Sequence, residues 1–219
     1  MSASFRNPIL VQSPRVRLIR ADYQIAKRVF DIMLCLLALP IFLPVFLLCG
    51  ALIWLDDPGP IFFKQLRTGR GGRRFPMYKF RTMVTNAEEL KAKYAHLNEL
   101  TWPDFKMADD PRTTRVGRVL RKTSLDELPQ LINVLKGDMS LVGPRPTSFD
   151  SSTYALWHTE RLEVLPGITG LWQVSGRSNL DFDDRLRLDV EYVERQSLLL
   201  DIQILFHTVT AVFTQDGAY

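Results

Sequence analysis

The sequence predicts an α+β fold, mostly helical: a re-entrant membrane helix hairpin joined to a small cytosolic domain of short strands and interfacial amphipathic helices. Three observations lead there. An almost wholly apolar run from Val29 to Leu55 has arginines and lysines at both ends. Two short runs of strand character, residues 61–65 and 77–81, enclose a glycine-rich basic turn. Further along, apolar residues recur at helical spacing in several separate segments. The 219 residues divide into a flexible basic arm (1–22), the membrane segment (23–56) and the cytosolic-face domain (57–219).

The arm contains Pro8 and Pro14 and shows no periodicity. The apolar run that follows is long enough to span a bilayer as a helix. Pro40 and Pro44 sit in its middle, where each removes a helix hydrogen bond and encourages a kink, and Asp31 lies near its start. Arg6, Arg15, Arg17, Arg20, Lys27 and Arg28 precede most of the run, and Lys64, Arg67, Arg70, Arg73, Arg74, Lys79 and Arg81 follow it. Cationic flanks stay in the cytoplasm, so both ends of the run are placed there. A helix that enters, breaks at Pro44 or Pro40 and leaves on the same side meets all of these conditions; an ordinary kinked span is the competing reading. Cys35 and Cys49 both lie inside the run, which argues against a disulfide framework or zinc site and fits a reducing compartment. The run is too long for the core of a cleavable signal peptide, and none is expected.

The two strand-like runs surround Gly69-Arg70-Gly71-Gly72-Arg73-Arg74. That turn could offer backbone donors to phosphate, although a solvated hairpin loop explains it equally; it is not a Walker A loop. Residues 86–100 read as a polar amphipathic helix and Thr114 to Lys122 as a short basic one. Pro166 to Gly170 forms a turn, and Leu171-Trp172-Gln173-Val174 reads as a strand. Asp181 to Gln196 is a charged helix with the apolar stripe Leu186, Val190, Val193. Ser197 to Phe213 is too short and polar for a span and fits an interfacial or core helix. His207 within it suits a packing role better than metal binding.

The chemistry concentrates in Ser124-Leu125-Asp126-Glu127-Leu128-Pro129-Gln130-Leu131 and in Gly143-Pro144-Arg145-Pro146 shortly after it. Leu128, Leu131, Ile132 and Leu135 follow the spacing of a buried helical face, and Gly137 can end that helix. Ser124 and Glu127 have the form of a capping box, in which Glu127 would only satisfy backbone donors. That reading leaves Asp126 a weak dipole role and gives no reason for the rigid arginine turn. Alternatively, a carboxylate can attack phosphorus or hold the magnesium that phosphates bring, and an arginine can clamp phosphate oxygens with its planar fork. Both readings stand on the residues alone. The net charge of +4 fits anionic lipids, phosphate ligands or nucleic acid. Nucleic acid is disfavoured, since the aromatic residues lie mostly in apolar runs and no recognition motif is present.

Seven motifs occur together in order: Lys27-Arg28-Val29-Phe30-Asp31, Lys79-Phe80-Arg81-Thr82-Met83, Asp110-Pro111-Arg112, Ser124-Leu125-Asp126-Glu127, Gly143-Pro144-Arg145-Pro146, Pro166-Gly167-Ile168-Thr169-Gly170 and Gly176-Arg177. From Lys27 to its C-terminus the chain resembles the bacterial sugar transferases, the monotopic polyprenyl-phosphate glycosyl-1-phosphate transferases. The resemblance implies a phosphoglycosyl transferase. It would move a sugar 1-phosphate from a UDP-sugar to undecaprenyl phosphate, giving UMP and a lipid diphosphosugar, as the first step of exopolysaccharide, capsule or O-antigen synthesis.

Residue by residue, the resemblance makes Asp126 the nucleophile of a covalent phosphosugar intermediate, Glu127 the ligand of Mg2+, and Arg145 the phosphate-binding arginine. Lys79, Arg81, Arg67, Arg112 and Arg177 become substrate-binding candidates, and Pro44 the residue that breaks the membrane helix. Relatives have a serine before that proline; here it is Leu43, with Pro40 added, so the break point stays open. The resemblance implies the bacterial inner membrane, a monotopic topology and an active site on the cytoplasmic face, with membrane lipids as partners. It suggests the minimal catalytic form with a short extension. The segment Leu171 to Arg177 and the ending Gly217-Ala218-Tyr219 resemble members that transfer glucose or galactose 1-phosphate; an N-acetylated sugar stays open. So does the oligomeric state, a homodimer included. The competing classes are a membrane-tethered binding or regulatory protein and a hydrolase that gives the same aspartate water as acceptor.

Overall fold

A computed structural model describes residues 21–94, 107, 110–149, 155–175 and 180–214. The basic arm up to residue 20, Gly176-Arg177 and the second half of the expected 86–100 helix lie outside the described residues. The described chain is mostly helical, with four short strands. Helix α1 (Ala21–Asp56) is followed by β1 (Phe62–Thr68), β2 (Arg74–Phe80), α2 (Lys91–Tyr94), α3 (Arg115–Lys122) and α4 (Gln130–Lys136). Then come β3 (Ser140–Val142), β4 (Gly167–Thr169), α5 (Leu171–Ser175), α6 (Phe182–Arg195) and α7 (Leu198–Thr214).

Helix α1 is the apolar segment for which a re-entrant hairpin was expected. Its 36 residues form one helical run with Pro40 and Pro44 inside it, not between two helices. A proline removes a single hydrogen bond, and a long apolar helix can absorb that loss without ending. The helix is long and apolar enough to cross a membrane by length and composition. Its two ends are nevertheless packed on the following domain. The start is tied down by Lys27, paired with Asp201, and toward the middle Cys35 joins a core of Phe75, Met77, Val134, Met139, Leu141, Val142, Tyr192 and Ile204. Near the end, Cys49 and Ile53 join Phe80 and Leu120 in a second cluster. Both cysteines are free thiols. Each such large side chain contributes about 1.5–3 kcal/mol on burial. Between these anchors the outward residues are bare: Leu37 and Ile41 are each 70% exposed.

Strands β1 and β2 form the expected antiparallel hairpin, with Phe62 opposite Phe80 and Thr68 opposite Arg74. The turn between them is a short 3-10 segment, Arg70–Gly72. Its Gly71 has φ +63, a conformation that costs a glycine little. Strands β3 and β4 are parallel, Ser140 beside Gly167 and Val142 beside Thr169. Residues 171–175 are helical where a strand was expected. Leu171 O accepts from Ser175 Oγ at 2.8 Å, and Gln173 N donates to Gly170 O, so local helical bonds override the β-type composition.

Helix α6 turns a stripe inward that is more polar than expected. Val190 and Val193 are only half-buried, while Leu186, Asp189 and Tyr192 form the buried line. Helix α7 buries Asp201 and Ile204 and exposes Leu199, Ile202, Phe206 and Val209. His207 is exposed on it. A buried polar knot ties α7 to α1. Lys27 Nζ lies 2.8 Å from Asp201, Tyr192 OH donates to Asp201 at 2.7 Å, and Ser140 Oγ donates to Asp31 at 2.7 Å.

Candidate active site

Helix α3 carries the chain to the carboxylates. Thr114 caps it, its Oγ1 accepting from Gly117 N at 3.0 Å. After Thr123 the chain reverses at Ser124, which holds a left-handed conformation (φ 56, ψ 15). No side-chain capping bond forms there, so the capping-box reading does not hold in the structure. Leu125–Glu127 is a tight 3-10 turn, and Pro129 opens α4. Gly137 closes α4 in the left-handed region (φ 87), as expected.

The buried side of α4 is Gln130, Asn133 and Val134, whereas Ile132 and Leu135 are exposed. Asn133 fastens α4 to β2. Its Oδ1 accepts from Tyr78 N at 3.0 Å, and its Nδ2 donates to Pro76 O at 2.8 Å. That clasp fixes the register of β2 against the dyad and delivers Lys79 to it. Lys79 Nζ stands 2.9 Å from Glu127 Oε1 and 3.6 Å from Asp126 Oδ2.

Arg145 arrives from the opposite side, on the turn after β3. Its Nη1 donates to Glu127 Oε2 at 3.1 Å and its Nη2 donates to Oε1, a two-point pairing. The turn is pressed against the loop before β4, where a Cβ on Gly143 would stand 2.5 Å from Leu165 O and 2.9 Å from Gly167 N. Thr68 N donates to Thr147 O at 2.9 Å and ties the same turn to β1.

The two neighbouring carboxylates are pushed apart electrostatically. Burial raises Asp126, and the charge of Glu127 adds to that; Lys79 opposes it, with Arg145 and Arg121 helping. Burial would also raise Glu127, but Arg145 and Lys79 outweigh it and hold that carboxyl well below the usual range. Glu127 is therefore a fixed anion clasped by two cations. Asp126 is buried and has the longer ion pair of the two, 3.6 Å to Lys79 Nζ.

Of the candidates read from sequence, Asp126, Glu127, Lys79 and Arg145 are brought together. Arg81 lies elsewhere: it pairs with Asp57 at 3.1 Å and locks the end of α1. Arg112 is buried against Asp110, with Nη2 at 2.7 Å and Nε at 2.9 Å from its carboxylate. Arg67 lies on β1 and donates to Gln65 at 2.5 Å. Arg177 is outside the described residues. Arg121 was not singled out from sequence. It is half-buried at the end of α3, donates to Thr82 Oγ1 at 2.9 Å, and its charge acts on Asp126. Its place five residues before Asp126, more than one helical turn away, gave no periodic signal.

Leu125 and Leu128, flanking the dyad, pack into the cluster formed by Cys49, Ile53, Val45 and Phe46 of α1. The residues flanking the dyad thus share an apolar cluster with the end of α1. Among the described residues no group of three or more His, Cys, Asp or Glu side chains forms a metal cage. The hard oxygen donors of Glu127 still fit a magnesium ion that draws its other ligands from phosphate and water.

This chain belongs to the bacterial sugar transferase family, whose model matches residues 22–215. It is 46% identical over 90% of its length to a galactosyl transferase, CpsE, of Streptococcus agalactiae. It is 44% identical over its whole length to the undecaprenyl-phosphate galactose phosphotransferase of Salmonella typhimurium. The chain covers 44% and 47% of those two proteins. It is also 42% identical to the exopolysaccharide production protein ExoY of Sinorhizobium fredii, over 89% of this chain and 88% of that protein.

Proposed function

We propose that this protein transfers a sugar 1-phosphate from a UDP-sugar, glucose or galactose, to undecaprenyl phosphate through a covalent intermediate on Asp126. The observation that carries this reading is the Asp126–Glu127 dyad, clasped by Lys79 and Arg145, whose flanking residues share an apolar cluster with the end of α1. In the first step an Asp126 carboxylate oxygen attacks the sugar-bearing phosphorus of the donor. The bond from that phosphorus to the bridging oxygen breaks, and UMP leaves with the electron pair. In the second step a phosphate oxygen of the lipid attacks the same phosphorus, the aspartyl bond breaks, and Asp126 is regenerated. Two displacements let one soluble and one lipid substrate use a single site in turn.

Lys79 and Arg145 are placed to take up phosphate charge as it develops. Arg145 does so with a planar fork that matches two phosphate oxygens. Glu127 would hold magnesium, which when bound offsets diphosphate charge and stabilises the leaving UMP. Because Arg145 and Lys79 now occupy Glu127, donor binding must transfer them from that carboxylate to phosphate.

The reading includes a monotopic placement on the cytoplasmic face of the inner membrane. Both ends of α1 grip the same domain, while its outward face is apolar and exposed from Ile25 to Leu55. A segment held this way dips into the bilayer and returns, bending at Pro40 and Pro44. The exposed residues of α7, spaced three and four apart, form an apolar stripe suited to the interface. The test is a panel of UDP-sugars with undecaprenyl phosphate, read as UMP release, and intact-protein mass after donor alone. UMP release and an adduct on Asp126 with UDP-glucose or UDP-galactose support the proposal. Release only with an N-acetylated donor changes the sugar, and release to water without lipid makes the protein a hydrolase.

A further inference from the structure

The backbone of the Gly143–Pro146 turn is held by a second ion pair. Arg161 and Asp189 are 3% and 1% exposed, and Arg161 Nη2 lies 2.5 Å from Asp189 Oδ2. The same Arg161 nitrogen donates to the carbonyl oxygen of Arg145. The carbonyl of Arg145 is thus taken by one half of a buried ion pair. On either side stand Pro144 and Pro146, whose rings fix φ and offer no N–H. Little freedom is left to Arg145 except in its own side chain.

The placement of the pair is costly as packing. Asp189 sits in the buried line of α6 between Leu186 and Tyr192, where an apolar residue would satisfy the core. Buried ion pairs are weak contributors to stability compared with well-packed apolar substitutes, so stability alone does not account for one here. The side chain it steers is the two-point partner of Glu127. Helix α6 also braces the strand before the turn, with Tyr192 OH donating to Val142 O at 3.1 Å.

We infer that Arg161 and Asp189 are positioning residues for Arg145: Arg161 grips its carbonyl, Asp189 holds Arg161 in place, and together they aim the Arg145 guanidinium at the reacting phosphate. The inference rests on the proposed transfer reaction. Misplacing a catalytic group by about 1 Å can cost on the order of 100-fold in rate. Arg161→Lys keeps the buried charge but loses the rigid guanidinium whose Nη2 stands between Asp189 Oδ2 and the Arg145 carbonyl. Asp189→Asn keeps the shape but removes the anion.

The test uses the full purified chain in detergent with a UDP-sugar and undecaprenyl phosphate. Each variant should lower kcat about 10- to 100-fold, with the thermal midpoint of Arg161→Lys close to that of the unsubstituted protein. In an Arg145→Lys background neither should cost anything further, because the side chain being aimed has already lost its fork. Losses that multiply in the double variants, or unchanged turnover in Arg161→Lys, overturn the inference. Should Asp189→Asn not fold, Arg161→Lys carries the test. If the unsubstituted chain transfers from no UDP-sugar, the functional reading falls on its own. The Arg145 Nε–H signal in 15N-arginine-labelled protein, identified by its loss in Arg145→Lys, then decides. A shift of that signal in Arg161→Lys supports positioning, and an unmoved signal overturns it.

Discussion

Arg145 presents its two terminal guanidinium nitrogens to the two carboxylate oxygens of Glu127, Nη1 to Oε2 at 3.1 Å and Nη2 to Oε1. A pairing of this kind uses the planar fork that would otherwise grip a phosphate. On the proposed reaction, donor binding exchanges one anion for another on the same arginine. Arg145→Lys keeps the charge and loses the fork, so kcat/KM for the UDP-sugar should fall at least about tenfold. Steady-state UMP release checks this. Free replacement by lysine would make Arg145 a purely structural partner of Glu127.

The dyad itself predicts two different failures. Asp126→Asn preserves shape and removes the nucleophile, so transfer should fall by roughly three orders of magnitude or more while folding is retained. No adduct should appear on incubation with donor alone. Glu127→Gln should also be severe, but its signature is a weakened or shifted magnesium dependence. It also leaves Lys79 and Arg145 without their shared anion. Near-normal turnover of Asp126→Asn in a magnesium titration series would remove the covalent mechanism.

Packing gives a prediction independent of chemistry. Gly117 of α3 passes so close to residue 82 that an added Cβ would stand 2.7 Å from both the Cα and the carbonyl carbon of Thr82. The neighbour is backbone and cannot swing aside. Gly117→Ala should destabilise the fold by about 1–3 kcal/mol through overpacking, seen as a fall in thermal midpoint of roughly 2–4 °C per kcal/mol. Activity in the protein that remains folded should change less, because α3 only delivers the dyad. An unchanged midpoint would mean that α3 and residue 82 separate easily in solution.

How far the sequence carried the structure depended on what each pattern measured. The β1–β2 hairpin was legible because its strands are bounded by a glycine-rich turn, and α3 and the Gly137 cap because their end signals are local. The dyad, Lys79 and Arg145 were legible as motifs. Other features depend on the solvent around a surface. Ile132 and Leu135 fit a core stripe by spacing yet are exposed, since apolar periodicity does not separate a core from a lipid-facing surface. Strands β3 and β4, three residues each, are too short to show alternation. Arg81 and Arg112, substrate-binding candidates by resemblance, are paired with Asp57 and Asp110, partnerships that residue type alone does not show. Nothing local in the sequence joins Arg161 to Asp189.

Asp189 also sets a pH dependence of stability. Burial pushes its carboxyl from the usual 3.8 up to about 6, with Arg161 opposing. The folded state then holds this proton more tightly than the unfolded chain. Between about pH 4 and pH 6 the folded protein binds more protons, so the contribution of this group to stability falls as pH rises through that window and is level above it. The change is on the order of 3 kcal/mol for a shift of about two units. Thermal midpoints of the unsubstituted protein and Asp189→Asn, compared from pH 4 to pH 7, isolate it. Their difference should shrink or change sign in favour of the asparagine as pH rises, and a constant difference contradicts the titration.

The last prediction concerns how α1 sits in the membrane. Its starting residues are anchored through Lys27 and Asp201, and its end through the Arg81–Asp57 pair, so both ends are tied to one domain. The flanks on both sides are basic, and the proposed placement keeps both in the cytoplasm. Pro40 and Pro44 lie in the exposed apolar stretch between the anchors, where a missing backbone donor most readily permits a bend. Replacing both prolines with leucine restores those donors and favours a straight helix. A straight helix must either pull away from one anchor or carry the N-terminus across the bilayer. Cysteine labelling resolves the alternatives, with reporters at Ser4→Cys and at the exposed Arg70→Cys in a background lacking Cys35 and Cys49. A membrane-impermeant maleimide applied to intact cells should reach neither reporter in the otherwise unsubstituted chain, and both after permeabilisation. In the double-proline variant the position 4 reporter should become accessible from outside and UMP release should fall, since the helix no longer sets the depth of the dyad. Labelling of position 4 from outside with both prolines present would mean that α1 crosses the membrane and that the domain meets the bilayer on one end of the helix alone.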